Sequence, residues 1–171
     1  RVEGVVSVLA GTASTRPVVR DSAVRQDGKS ASLTAPNGSA QRTLLQLALQ
    51  RSVLSSSEMG CVEAHGTGTA LGDPTEVGAL ASVLGRRSSV INPLLLGTSK
   101  ANVGHGEPVS GLLGLLKAMQ SVRQADCAGN PQLRTLNPLV GARLAGSQSP
   151  FVLMTNTLSR GGVMGAAVAG V

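Results

Sequence analysis

Apolar positions along the chain switch repeatedly between two periods. Residues 2–9 are rich in valine and predict a strand, and residues 18–24 predict a second. Gln26-Asp27-Gly28 marks a turn, and residues 30–38 are polar and close on Pro36-Asn37-Gly38. Leu44, Leu45, Ala48, Leu49 and Val53 then recur at helical spacing, which predicts a helix capped by Ser39 and ended by Ser55-Ser56-Ser57. Residues 60–65 predict a short strand, followed by a loop holding three glycines. Asp73-Pro74-Thr75-Glu76 predicts a helix start, with Asp73 as the cap, Pro74 at the first helical position and Glu76 completing a capping box. That helix is expected to run to about Leu84, with Gly85 ending it.

Leu94, Leu95 and Leu96 predict a buried strand. Pro108 opens the next predicted helix, where Val109, Leu112, Leu113, Leu116 and Met119 form a stripe. Leu115 widens that stripe, so this helix is expected to be mostly buried. Residues 124–150 carry Pro131, Pro138 and Pro150 and little periodicity, and read as a long connection with short elements. Residues 151–155 and 163–171 predict two last strands around a Ser159-Arg160-Gly161-Gly162 turn. Strand and helix units alternate, which is an α/β pattern.

With 171 residues, 42% hydrophobic and 14% charged, the chain suits one globular domain. Phe151 is its only aromatic residue, so Leu, Val, Ala and Met must build the core. The net charge of +6 is spread over scattered sites such as Arg16, Arg20, Arg25, Lys29, Arg42 and Arg51. No dense basic stripe and no stacking aromatics point to nucleic acid, whereas a basic surface suits an acidic protein partner. No apolar run of about 18 residues predicts a membrane span, and no cleavable signal is visible. Two cysteines make no disulfide framework, so a reducing intracellular compartment, cytoplasm or plastid, is expected. Arg1 stands directly before a strand-like run, which suggests a piece of something longer.

The chemistry concentrates on the two histidines, His65 and His105. Each follows an apolar run, lies in a glycine-rich loop and precedes a helix, where sites on α/β folds usually form. Imidazole moves protons near neutral pH, and its neutral form can donate to a carbonyl oxygen gaining charge. Lys100, Asn102 and His105 fall within six residues, and Thr67 and Thr69 add hydroxyls beside His65. Each loop taken alone equally fits a plain strand–helix connection. Zinc held by both histidines and Glu63 is a further option, but the spacing matches no tight ligand pattern. The loops also miss the phosphate-binding glycine fingerprints. Cys61 lies four residues before His65 on one predicted strand, roughly 13 Å away, too far for a nucleophile pair. Cys127 sits in a polar loop, so both cysteines read as structural.

Glu63-Ala64-His65-Gly66-Thr67-Gly68-Thr69, followed by Gly72-Asp73-Pro74 and Glu76, resembles the first histidine motif of β-ketoacyl synthases. Lys100-Ala101-Asn102-Val103-Gly104-His105 resembles the second, and the likeness is greatest to ketosynthase domains of type I or modular polyketide synthases. Gln26-Asp27-Gly28 and Leu33-Thr34-Ala35-Pro36-Asn37-Gly38 extend the resemblance, which covers most of residues 17–120. It implies a thiolase-like α/β fold, of which this chain is mainly the C-terminal βαβαβ half. Residues 1–38 would be the end of the first half and the connection.

The resemblance further implies decarboxylative Claisen condensation of an acyl thioester with a malonyl-type acyl carrier protein, in polyketide or fatty acid biosynthesis. His65 and His105 would assist decarboxylation and hold the oxyanion, with Lys100 organising the pair. Thr67, Thr69 and Asn102 would contact the phosphopantetheine arm of the carrier protein, or a coenzyme A thioester. No bound cofactor and no metal are implied. The nucleophilic cysteine would lie in an upstream half, leaving this chain inactive alone, and the complete domain would dimerise. Leu158 stands where a gating phenylalanine is expected, and Gly106-Glu107-Pro108 also departs from the pattern. These departures motivate the alternative of a degenerate ketosynthase that serves as a carrier-binding or dimerisation scaffold.

Overall fold

A computed structural model describes residues 2–9, 17–30, 35–85, 93–145, 151–156, 158–159 and 165–170. The chain runs β1 (Val2–Leu9), β2 (Val18–Gln26), α1 (Gly38–Ser52), β3 (Met59–Glu63), α2 (Gly72–Leu84), β4 (Leu94–Gly97) and α3 (Lys100–Val103). It continues through α4 (Ser110–Gln124), β5 (Asp126–Cys127), α5 (Pro138–Ala145), β6 (Phe151–Leu153), β7 (Leu158–Ser159) and β8 (Gly165–Gly170).

Six strands form one mixed sheet in the order β2-β1-β8-β3-β4-β6. β1 is antiparallel to both β2 and β8, while β8, β3, β4 and β6 run parallel. β6 and β8 are therefore not the adjacent final pair that the sequence predicts: β6 takes the outer edge beside β4, and β8 enters the middle between β1 and β3. Parallel neighbours need a crossover and not a tight turn. The glycines of the expected turn, Gly161 and Gly162, lie outside the described residues.

β4 shows why a run of leucines makes a strand here. Leu94 and Leu96 point into a core built with Leu44, Leu45, Val77 and Leu80 from α1 and α2. Leu95 points to the other face, into a cluster with Cys61, Ala118, Val122 and Cys127 beneath α4. A strand covered on both faces reads as continuously apolar and not alternating. Leu80, Leu94 and Leu95 have no measurable exposure, so each contributes roughly 1.5–3 kcal/mol of burial.

Several sequence expectations change at helix ends. Asn37, not Ser39, caps α1: its side-chain oxygen accepts from the N–H groups of Ser39 and Ala40. α2 starts at Gly72 and no side chain caps it, so the predicted capping box does not form. Its two carboxylates turn instead toward the loop that carries His65. Gly85 does end α2, in a right-handed conformation. The long connection holds short elements as expected: β5 and the eight-residue helix α5, which Pro138 starts.

α4 starts at Ser110 after a short 3-10 turn containing Pro108. It is not mostly buried as expected: Leu112 is 60% exposed and Leu116 53%. Its inner side, with Ser110, Gly114, Ala118, Ser121 and Val122, packs on the sheet; of the predicted stripe Met119 joins that packing, with Leu115 beside it, while Leu112 and Leu116 face outward.

Candidate functional site

β3 and β4 run parallel and pair Val62 with Leu96 and Glu63 with Gly97, so both histidine loops leave the same end of the sheet. The His65 and His105 rings meet edge to face, with centroids 5.9 Å apart. Lys100 Nζ lies 3.4 Å from His65 Nδ1. The Lys100 ammonium is pulled below its ordinary range by desolvation, while Glu76, Glu63 and Asp73 oppose that shift. Three residues singled out in the sequence thus share one contact group.

The loop after His65 is held from below. Glu76 accepts from the His65 N–H at 2.6 Å and the Gly66 N–H at 3.0 Å. Burial pushes its carboxyl up to about 7, against those two hydrogen bonds. Asp73 accepts from the Gly68 N–H at 3.1 Å. Gly66 has φ +48°, and a β-carbon there would stand 2.9 Å from the Thr98 side chain, so the position demands glycine twice over. The Thr98 hydroxyl reaches the His65 carbonyl and receives the Lys100 N–H, tying one loop to the other.

A second tie lies deeper. Glu63 is buried, accepts from the Ser99 N–H, and pairs with Lys117 of α4 at 3.0 Å. Asn130 closes the far side, accepting from the Thr98 N–H and donating to the carbonyls of Leu96 and Met154. Sequence reasoning missed Thr98, Asn130 and Lys117 as parts of the site; it placed Glu63 in the first histidine motif without a structural role and read Glu76 as part of a cap. A charged residue inside an apolar strand was the available signal for Glu63, since buried charge needs a partner.

A cavity of about 510 Å³ opens at this end of the sheet. Thr67, Asp73, Glu76, Lys100, His105 and Asn130 form its polar wall, and Val77, Leu96, Leu136 and Val140 its apolar one. Of the residues singled out in the sequence, Thr67, Lys100 and His105 line it. Thr69 and Asn102 are not in that lining: the Thr69 hydroxyl accepts from the Gly72 N–H, and Asn102 reaches the Gly129 carbonyl. Among the described residues, no group of three or more His, Cys, Asp or Glu is placed to hold a metal.

The fold does join Cys61 and Cys127, which the sequence left apart. The two thiols are free and buried in one cluster beneath α4. The neighbouring Cys127 thiol and burial push the Cys61 thiol up, so it is a poor nucleophile.

The profile of the family "Beta-ketoacyl synthase, C-terminal domain" matches residues 17–133, which hold both histidine loops and their hydrogen-bond partners apart from the carbonyl of Met154, while Leu136 and Val140 of the cavity wall lie beyond it. The chain belongs to the β-ketoacyl synthase family. Among curated relatives, it is 44% identical over 124 residues to the highly reducing polyketide synthase azaB of Aspergillus niger, covering 72% of this chain and 5% of that one. It is 42% identical over 137 residues to erythronolide synthase EryA2 of Saccharopolyspora erythraea, covering 77% and 4%. Among solved structures, it resembles the oxazolomycin ketosynthase domain OzmH KS7 of a Streptomyces strain, with a TM-score of 0.78 and 29% identity. That match covers 90% of this chain and 27% of the other.

Ketosynthase twelve of the bacillaene synthase of Bacillus amyloliquefaciens matches with a TM-score of 0.71 and 27% identity, over 84% of this chain and 26% of that one. The architecture is that of a thiolase-like α/β ketosynthase fragment. The chain spans about a quarter of the solved ketosynthase chains it matches and a few per cent of the curated synthases. Among the described residues, no helix is long and apolar enough to cross a membrane.

Proposed function

We propose that this chain supplies the two-histidine side of a site for decarboxylative Claisen condensation between an acyl thioester and a malonyl-type acyl carrier protein. The observation that carries the reading is the His65–His105 pair, 5.9 Å apart, with Lys100 against one ring. An ammonium at His65 Nδ1 leaves the ring proton on Nε2, which then serves as a hydrogen-bond donor.

In the proposed reaction the malonyl carbon–carbon bond breaks and carbon dioxide leaves. The electron pair forms an enolate whose oxygen is held by imidazole N–H groups. The resulting carbon attacks the acyl thioester, the new carbon–carbon bond forms, and the thiolate of an upstream cysteine departs. Lys100 organises the two rings electrostatically. Thr67 in the cavity wall contacts the phosphopantetheine arm or a coenzyme A thioester, while Thr69, and Asn102 of α3, brace the neighbouring backbone at Gly72 and Gly129. No resident cofactor is needed.

The outward leucines of α4 support the upstream half as a partner. Leu112 and Leu116, with Val109 just before the helix, present an apolar stripe of the kind that another domain half covers. In this reading the 171-residue chain is a partial ketosynthase domain, inactive alone, and the complete domain is a homodimer.

The test is made in the complete synthase, measuring malonyl decarboxylation and condensation separately. His65→Ala and His105→Ala are each expected to lower at least one step by roughly 10²–10³. Unchanged rates in both variants overturn the mechanism. No turnover in the unmutated synthase, with carrier binding intact, favours the scaffold alternative raised by Leu158 and by Gly106-Glu107-Pro108.

A further inference from the structure

Ser110 is a buried hydroxyl at the start of α4, and it lies 2.9 Å from His105 Nδ1. The same nitrogen receives the backbone N–H of Glu107 at 3.1 Å. An N–H donor requires a lone pair on Nδ1, so that nitrogen carries no proton and Ser110 must donate as well. The Glu107 N–H reaches the ring from a residue with φ +44°, so the loop is bent to deliver it.

We propose that Ser110 is a positioning residue of this site: with the Glu107 N–H, its hydroxyl holds His105 as the tautomer whose Nε2–H is free to donate. The proposal rests on the condensation reading, and it adds a group to which that reading assigned nothing. A ring held at one nitrogen by two donors has one orientation, and its second nitrogen is presented as a donor at no further ordering cost. The titratable and charged groups around the ring are His65 across the edge contact, Lys100 behind that ring, Asp73 and Glu76 on the shared cavity wall, and Glu107 on its own loop.

Two measurements test it. The first is long-range ¹H–¹⁵N correlation of the imidazoles, made above the pH where free histidine titrates. The complete ketosynthase domain is labelled with ¹⁵N-histidine, and His105 is identified as the signal lost in His105→Gln. His105 is expected as the Nε2–H tautomer, with Nδ1 shielded by its donors, and Ser110→Ala is expected to move Nδ1 toward the unbonded position. An Nδ1–H tautomer, or a Ser110→Ala spectrum in which His105 has not moved, overturns the proposal.

The second is turnover of the complete synthase. Ser110→Ala is expected to lower kcat roughly three- to tenfold, the worth of one neutral hydrogen bond, with KM for the carrier protein unchanged. Ser110→Thr, which keeps the hydroxyl, is expected to restore most of kcat. If the ring resonance moves and kcat does not, the bond exists and the positioning role is overturned. If His105→Ala itself leaves turnover unchanged, the condensation reading has failed and not the hydrogen bond.

Discussion

Glu63 and Lys117 form an ion pair at 3.0 Å beneath the two histidine loops, with 5% and 15% of their side chains exposed. Glu63 comes from the end of β3 and also receives the Ser99 N–H at the end of β4, so one carboxylate links both loops to α4. Lys117→Met leaves that carboxylate buried without its partner and is expected to cost about 3–5 kcal/mol in urea unfolding. The double variant Glu63→Gln/Lys117→Met buries no charge and is expected to recover a large part of the loss. Equal stability of the single and double variants would contradict this account.

Glu76 makes stability depend on pH. Its folded carboxyl is raised to about 7 from an ordinary value of 4.5, so the folded state binds more protons between those two values. Its contribution is complete below about pH 4.5 and lost as pH rises to about 7. Urea midpoints measured from pH 4.5 to 8 are expected to decline over that window and then level. In Glu76→Gln this component is expected to vanish. A wild-type and variant difference that is flat across the window would refute it.

Gly66 is expected to tolerate no side chain. Gly66→Ala combines a left-handed backbone with a contact on Thr98, at a cost of roughly 1–3 kcal/mol. The displaced loop also carries His65, so condensation by the complete synthase is expected to fall more than stability does. Gly68, where φ is +76° and the space is open, provides the control: Gly68→Ala has the strain without the clash.

Val53 offers a stabilising change. It sits at the end of α1 with φ +59°, and it is 88% exposed. A β-branched residue is strained in that conformation, and glycine is not. Val53→Gly is expected to raise stability by roughly 0.5–1 kcal/mol, a rise of a few degrees in Tm read by calorimetry. A lower Tm would show that the strain is compensated in the native state.

The strands and helices around the motifs were legible because burial writes itself into composition. Three leucines in a row at 94–96 demanded a strand covered on both faces, and the Gly-His loops stood where that strand and β3 ended. The helix caps were less legible. Asp73 and Glu76 have the spacing of a cap, yet the nearest backbone donors in space belong to the His65 loop, and a carboxylate bonds whichever N–H is closest. The exposed face of α4 misled for a related reason: an apolar stripe states that something covers it, but not whether the cover is part of the same chain.

The two motif sequences were enough to name the family and to select His65, His105 and Lys100, because each motif is a local string whose residue types carry its chemistry. Contacts between distant segments came only from the folded chain. Cys61 meeting Cys127, Lys117 pairing with Glu63, Asn130 bridging β4 to β6, and β8 entering the middle of the sheet all join residues far apart in sequence. A buried charge or amide signals that it needs a partner, but which partner it finds depends on how the strands are ordered.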